Sequence, residues 1–253
     1  MVNTVVEAIR RLKDSESLGA LVTVVDGQDQ GMAAVIHVDD GYVAGSLPPE
    51  IADDVIADAT VLMEQEKSLA LSYGERRVLI DFVAPSPVML IFGAGHIAQP
   101  LSIFARELGF RTVVADARST WATAERFPDV DELIAGWPDR VFDHIEPDRR
   151  TYVVLLSHDA RFEVPVLEAV KGKPIKYLGA MGSRRTHAMR AERLASDGWT
   201  DAEIAEIHAP IGLDLKGATP AETAIAIAGE IIQTRYGAGS GVSLRGTDVA
   251  IHG

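Results

Sequence analysis

Apolar positions along this chain fall into short strand-like runs as far as Val83 and into alternating strand and helix beyond Val88. Val5, Val6, Ile9 and Leu12 recur at helical spacing before Gly19, which predicts an amphipathic opening helix. Runs at 21–25, 32–38 and 42–44, separated by turn-rich segments at 26–31 and 39–41, predict an antiparallel meander. A helix over about 49–67 and two further strands, 68–73 and 77–83, follow. Proline biases its predecessor away from helix, so Pro85-Ser86-Pro87 marks a boundary. The expected organisation is a smaller N-terminal α+β domain, residues 1–84, and a larger domain, residues 88–253.

Past that boundary the strand-and-helix alternation predicts a Rossmann-like α/β domain, a parallel sheet covered on both faces. Its first strand, 88–92, runs into Gly93-Ala94-Gly95-His96-Ile97-Ala98 and then into an amphipathic segment ending near Leu108. The first glycine permits a tight turn, the second allows close backbone approach to a phosphate, and Ala98 replaces a third where helix meets strand. Helix amides and the helix dipole favour an anion there. The next strand, 111–115, ends at Asp116, close to the roughly 20-residue offset of an acid that binds a ribose hydroxyl. Residues 152–156 form a third strand leading to Ser157-His158-Asp159, and 174–178 a fourth leading to Gly179-Ala180-Met181-Gly182-Ser183-Arg184-Arg185. Ligands of open parallel sheets sit beyond the carboxyl ends of strands, so these loops are expected to face one crevice. Thr200 with Glu203, and Thr219 with Glu222, predict capped helices, the last ending at Gly237 before a glycine-rich, extended or mobile tail.

Net charge changes the picture by exclusion. At −13 the chain lacks the clustered cations that a general nucleic-acid surface or an anionic membrane surface requires, so any phosphate site is local. The absence of cysteine rules out disulfides, thiolate metal sites and a persulfide carried by the chain itself. No window reaches 18 apolar residues and the N-terminus has no signal-peptide pattern, so a cytoplasmic protein with no membrane span is expected.

Candidate chemistry gathers in the strand-end loops. Backbone amides, the Ser183 hydroxyl and one of Arg184 and Arg185 would together hold an anion, and arginine's planar fork suits bidentate contact. The alternative is that Arg184, Arg185, Arg190 and Arg193 form the solvated face of an ordinary helix. His158 and Asp159 stand where a general base or metal ligand would sit, and His96 is expected in the same crevice. No metal-binding spacing accompanies them, and His37, His144, His187 and His208 read as surface or structural. Pro210-Ile211-Gly212-Leu213-Asp214 is either a closing loop or a plain connector. No nucleophile elbow lies between a strand and a helix, so hydrolase chemistry is discounted.

Taken together, Phe92-Gly93-Ala94-Gly95-His96, Asp116-x-Arg118, Ser157-His158-Asp159, the stretch Tyr177 to Arg185, and Pro210-Ile211-Gly212-Leu213-Asp214 resemble the XdhC/CoxI family, in order from Val88 to about Tyr236. The resemblance implies an accessory protein, not itself an enzyme. Such a protein binds a molybdopterin-type molybdenum cofactor, protects it while its terminal sulfur is installed, and delivers it to a xanthine dehydrogenase-type hydroxylase. A cysteine desulfurase as second partner and a homodimer are implied with it. The N-terminal part departs from the family: Gly45-Ser46-Leu47-Pro48-Pro49-Glu50 stands where members carry a serine-glycine-glycine-cysteine stretch.

The resulting assignment places Gly93, Ala94, Gly95, His96 and Ile97 at one phosphate or the pterin. Asp116 with Arg118 would lie at a ribose or pterin donor, Ser157, His158 and Asp159 on the crevice, and Gly179, Gly182, Ser183, Arg184 and Arg185 at a second anionic group. Two other classes compete. An NAD-dependent oxidoreductase would use the same glycine turn with Asp116 on a ribose diol, though only His158 or His96 offers a proton donor. A regulatory protein that has lost its ligand would explain the N-terminal departures.

Overall fold

The computed structural model describes residues 2–14, 17–37, 41–157, 159–237 and 239–246; His158 and the tail end expected to be mobile lie outside them. The chain divides into two compact units, Met1–Pro85 with Arg235–Gly237, and Ser86–Thr234 with Ala238–Gly253. Among the described residues no helix is long and apolar enough to cross a membrane.

In the first unit the order is α1 (Val2–Asp14), β1 (Gly19–Asp26), β2 (Ala33–His37), β3 (Gly41–Gly45), α2 (Ala52–Glu64), β4 (Leu69–Tyr73) and β5 (Arg76–Val83). The strands make one antiparallel sheet in the order β3-β2-β1-β5-β4. Side chains alternate across a strand, and this sheet uses the alternation. Ala20, Val22 and Val24 of β1 join Val55, Ala59 and Leu62 of α2, while Val35 of β2 packs with Val5, Ala8 and Leu12 of α1.

The second unit contains β6 (Val88–Phe92), α3 (Ala98–Glu107), β7 (Arg111–Asp116), β8 (Glu132–Ala135), α4 (Asp139–Phe142) and β9 (Thr151–Leu155). It continues with α5 (Ala160–Val170), β10 (Tyr177–Ala180), α6 (Arg184–Ser196), α7 (Asp201–Ala205) and α8 (Pro220–Tyr236). All five strands pair in parallel, in the order β10-β9-β6-β7-β8. Their continuous apolar runs are explained by burial on both faces. Leu90, Phe92, Val153 and Leu155 face Phe162, Val166 and Leu167 of α5 and Leu194 of α6; Met89, Ile91, Tyr152 and Val154 face Leu101 of α3 and Ile227 and Ile231 of α8.

The chain leaves β6 to one side for β7 and β8, then returns to the other side for β9 and β10. The reversal falls between β6 and β9, and in such sheets it opens a crevice at the carboxyl ends of the strands. Two departures from the sequence pattern bear on this edge. The fourth strand begins at Tyr177 and not at Pro174, because proline has no N–H to donate and the chain joins the ladder only where the Lys176 amide reaches the Thr151 carbonyl at 3.0 Å. The short β8 and α4 and the Pro165-containing α5 carried no clear periodic signal, yet the link between β8 and α4 supplies Trp137 and α5 supplies Phe162 to the crevice wall.

Candidate ligand site at the strand ends

At the end of β6 the chain turns under tight constraint. Gly93 has φ +108°, and a Cβ there would lie 3.0 Å from the Ser157 nitrogen and 3.1 Å from the Leu156 carbonyl carbon. Only glycine fits that close passage of two strand ends. The neighbouring ladder stays intact: the Gly93 amide donates to the Ala115 carbonyl and the Leu156 amide to the Phe92 carbonyl, both at 2.8 Å. Gly95 is different. A Cβ on it would meet nothing within 4 Å. Ile97, at the start of α3, provides no side-chain cap, whereas Asp159 caps α5 and Ser183 caps α6. The first-turn amides of α3 are therefore left to a group from outside the helix.

Asp116, at the end of β7, is buried, with 3% of its surface exposed. Its Oδ1 accepts from the Arg118 amide and Nε, each at 2.9 Å, and its Oδ2 from the Ala94 amide at 2.8 Å and Arg118 Nη2 at 2.7 Å. Burial pushes the carboxyl pKa up, but these bonds, led by the Arg118 side chain, outweigh it and hold the acid below its usual range. The guanidinium so anchored lies 4.6 Å from the centre of the Trp121 ring; Arg126 lies 4.7 Å from that ring, and His96 meets it edge-on at 5.4 Å.

Asp116, Arg118, Trp121 and His96 line a cavity of about 400 Å³. Gly95 and His96 come from the glycine turn, Asp116, Ala117 and Arg118 from the end of β7, and Leu156, Ser157 and Asp159 from the end of β9. Trp121, Trp137 and Phe162 add aromatic walls, with Trp137 half exposed and 6.1 Å from Phe162. Asp159 is engaged by Arg161, whose side chain and amide hold its carboxyl below the usual range, and Ser157 Oγ accepts from the Asp159 amide at 3.2 Å. The cavity thus combines apolar plates, the Gly95 and His96 backbone just ahead of an uncapped helix start, and one guanidinium in reach of solvent. That combination suits a flat polar heterocycle bearing an anionic group.

The second sequence constellation has another character, because β10 lies beyond β9 at the sheet's edge. Gly179, Gly182, Ser183, Arg184 and Arg185 do not line the cavity. A Cβ on Gly179 would come 2.5 Å from Ile211 Cδ1 and from the Tyr177 hydroxyl, so this glycine makes room for packing. Gly182, at φ +145°, lies against Thr186, and Ser183 Oγ accepts the Thr186 amide at 3.1 Å. Arg184 and Arg185 are exposed. Arg190, grouped with them in the solvated-face alternative, is instead buried: it binds Glu163 at 2.7 and 2.9 Å and the Met181 carbonyl at 3.0 Å. The loop after α7 is sealed down by Glu230, which accepts from the Gly212 amide at 2.9 Å and the Tyr177 hydroxyl at 2.6 Å. A larger cavity, about 600 Å³, lies at the amino end of β10 beside Lys173, Tyr177 and His208, away from the edge where such sheets bind ligands.

Sequence reasoning missed Trp121, Trp137 and Phe162. The available signal was two tryptophans in turn-rich segments, Trp121 three residues after Arg118 and Trp137 between Gly136 and Pro138, where a large ring without periodic neighbours has no core to fill.

Parallel order, reversal point and glycine turn define a Rossmann-type domain. The chain belongs to the XdhC family: the family model described as the XdhC Rossmann domain matches residues 89–231. A Bacillus subtilis relative, named as a probable subunit of xanthine dehydrogenase, is 28% identical over 158 residues, covering 62% of this chain and 46% of the relative. The molybdenum cofactor insertion chaperone PaoD of Escherichia coli is 35% identical over 106 residues, 40% of this chain and 33% of that protein. The chain spans less than half the length of these curated relatives. A solved structure described as a xanthine dehydrogenase from Bacillus halodurans aligns with a TM-score of 0.53 over 91% of this chain and 94% of that one, at 17% identity, a likeness of fold.

Proposed function

We propose that this chain is an accessory protein that holds a molybdopterin-type molybdenum cofactor at the carboxyl ends of β6, β7 and β9 and passes it to a xanthine dehydrogenase-type hydroxylase. The observation that carries the reading is the cavity itself: three aromatic side chains, an uncapped helix start beside Gly95 and an anchored Arg118 around about 400 Å³. A pyranopterin is flat, polar and anionic, and each wall answers one of those properties. The cofactor supplies oxo-transfer and hydroxylation chemistry once seated in its client enzyme. The chain's own residues bind, orient and shield: Trp121 and Trp137 cover the ring, and the α3 amides take the anion.

Delivery requires release, and the cavity's open mouth beside half-exposed Trp137 suits a cargo site. Sulfuration belongs to the same reading, with a cysteine desulfurase as donor, because a chain without cysteine carries no persulfide of its own. The setting is the cytoplasm and the expected assembly a homodimer. An NAD site would need Asp116 as a free acceptor, and its lone pairs are taken.

Calorimetric titration of the full chain with molybdopterin is the test. Binding that Gly95→Val abolishes supports the reading, since a branched side chain there would project into the open space above the α3 amides. No binding by the wild-type protein would overturn it.

A further inference from the structure

We propose that Arg118, held by Asp116 against Trp121, is a seat for a terminal phosphate monoester, and that it makes the site select the unextended cofactor over a dinucleotide form. The inference rests on the cargo proposed above and adds which form of it is taken.

An ionised carboxylate offers about four lone-pair positions. In Asp116 the Arg118 amide, Arg118 Nε, the Ala94 amide and Arg118 Nη2 occupy them, at 2.7–2.9 Å. A ribose diol placed here, the usual partner of an acid at this position in a Rossmann sheet, finds no free acceptor. To bind it, the site would first have to break charge-assisted bonds that are individually strong.

Arg118 has the opposite surplus. A guanidinium carries five N–H donors in a fixed fork, and Asp116 uses only one edge of it. The remaining N–H groups stay on a side chain that is 56% exposed and lines the cavity. Asp116 and the Trp121 plane fix the orientation, so little side-chain entropy is lost when an anion docks. Asp159 is the nearest competing acid on the cavity wall, and Arg161 already engages both of its oxygens. Gly95 and the uncapped start of α3 border the same space, so one phosphate can take the guanidinium on one side and helix amides on the other. A phosphate monoester presents up to two negative charges and three free oxygens to this pair of donors. Each phosphorus of a dinucleotide's pyrophosphate presents only one charge and two free oxygens, and the attached sugar reaches an acid already satisfied.

The experiment has two arms. Equilibrium binding of molybdopterin and of molybdopterin cytosine dinucleotide is measured on wild type, Arg118→Ala and Arg118→Lys, each checked for folding by circular dichroism. The wild-type protein is expected to favour molybdopterin by at least about tenfold, and Arg118→Ala to lose roughly ten- to a hundredfold of that affinity while binding of the dinucleotide does not weaken, since the substitution frees Asp116 for its sugar. Arg118→Lys keeps the charge but not the fork, and is expected to restore little. In the second arm, inorganic phosphate is titrated into ¹⁵N-labelled protein; the Arg118 Nε–H and the Gly95 and His96 amides should shift with phosphate and stay in place with cytidine. Equal or tighter binding of the dinucleotide, or an equal loss of both forms in Arg118→Ala, overturns the selectivity. If neither pterin binds but phosphate still moves the Arg118 signal, the cargo is wrong and the phosphate seat stands. If phosphate leaves Arg118 unmoved and pterin binding ignores its substitution, the seat is wrong and the cargo stands.

Discussion

Two turns in this molecule are built from the same parts, a buried parallel strand, glycines and a helix start, and they do different things. At Gly93–Ile97 the first glycine is squeezed by the Ser157 backbone, while Gly95 faces empty space and the helix start has no side-chain cap. At Gly179–Arg185 the first glycine lies beneath Ile211, the second rests against Thr186, and Ser183 closes the helix itself. Glycine in a strand-to-helix turn therefore has no single meaning: it can make room for backbone, as at Gly93, for a side chain, as at Gly179, or leave open space, as at Gly95. The first turn stands at the reversal between β6 and β9, where flanking strands diverge into loops on either side, and the second stands at an edge that the loop after α7 has covered.

The contrast can be broken most forcefully at one glycine from each turn. Gly179→Val should destabilise the protein by about 1–3 kcal/mol through overpacking against Ile211 and Tyr177, measured by urea denaturation. Gly95→Val should leave stability near wild type and remove ligand binding. If the two variants behave alike, the distinction between a filled and an open turn is wrong.

A smaller effect is expected at Asp116. Asp116→Asn loses charge-assisted bonds to Arg118, worth about 1–2 kcal/mol after allowance for solvent around that half-exposed guanidinium. The native carboxyl is held below the usual range, so its contribution is fully present above the ordinary unfolded value of about 3.9 and is lost as pH falls through the lower native value. The stability gap between wild type and Asp116→Asn should be constant near neutrality and narrow in acid; a gap that persists unchanged at pH values well below that range would assign the loss to packing instead.

The mildest changes belong to the second turn's surface. Ser183→Ala removes the α6 cap and should cost about 1 kcal/mol with ligand affinity unaltered. Arg184→Ala and Arg185→Ala, both exposed, should shift stability by less than about 0.5 kcal/mol. Titration of the same two variants with molybdopterin sharpens the comparison: a tenfold loss in either would bring the α6 start into the binding site.

Most of the architecture was legible from the chain. Apolar runs such as Val88–Phe92 and Thr151–Leu155, buried on both faces, leave few alternatives to a parallel sheet, and the Thr200–Glu203 box forms as its residue types require. The glycine turn and its pairing with Asp116 were legible too, but the direction of that pairing was not. Spacing indicates that an acid stands beside the turn; it does not say that Arg118, two residues on, will fold back and occupy it. The aromatic walls were hidden for a related reason. Trp121, Trp137 and Phe162 come from three separate connections, and only the crossing order of the strands brings them to one opening. Arg190 shows the converse, since its partner Glu163 lies on another helix and no helical spacing marks it as interior.

The bond from the Ala94 amide to Asp116 gives one side chain two tenants: the glycine turn on one oxygen and the guanidinium across both. Floor and gatekeeper of the cavity are thereby yoked, so they cannot drift independently. A lineage that discarded Arg118 would still need the acid to brace the turn, and would then expose a carboxylate free to grip a sugar; one that discarded the acid would slacken both. If Arg118 sets the form of molecule admitted, as proposed above, exchange of that one residue would change it while leaving the acid that braces the glycine turn in place.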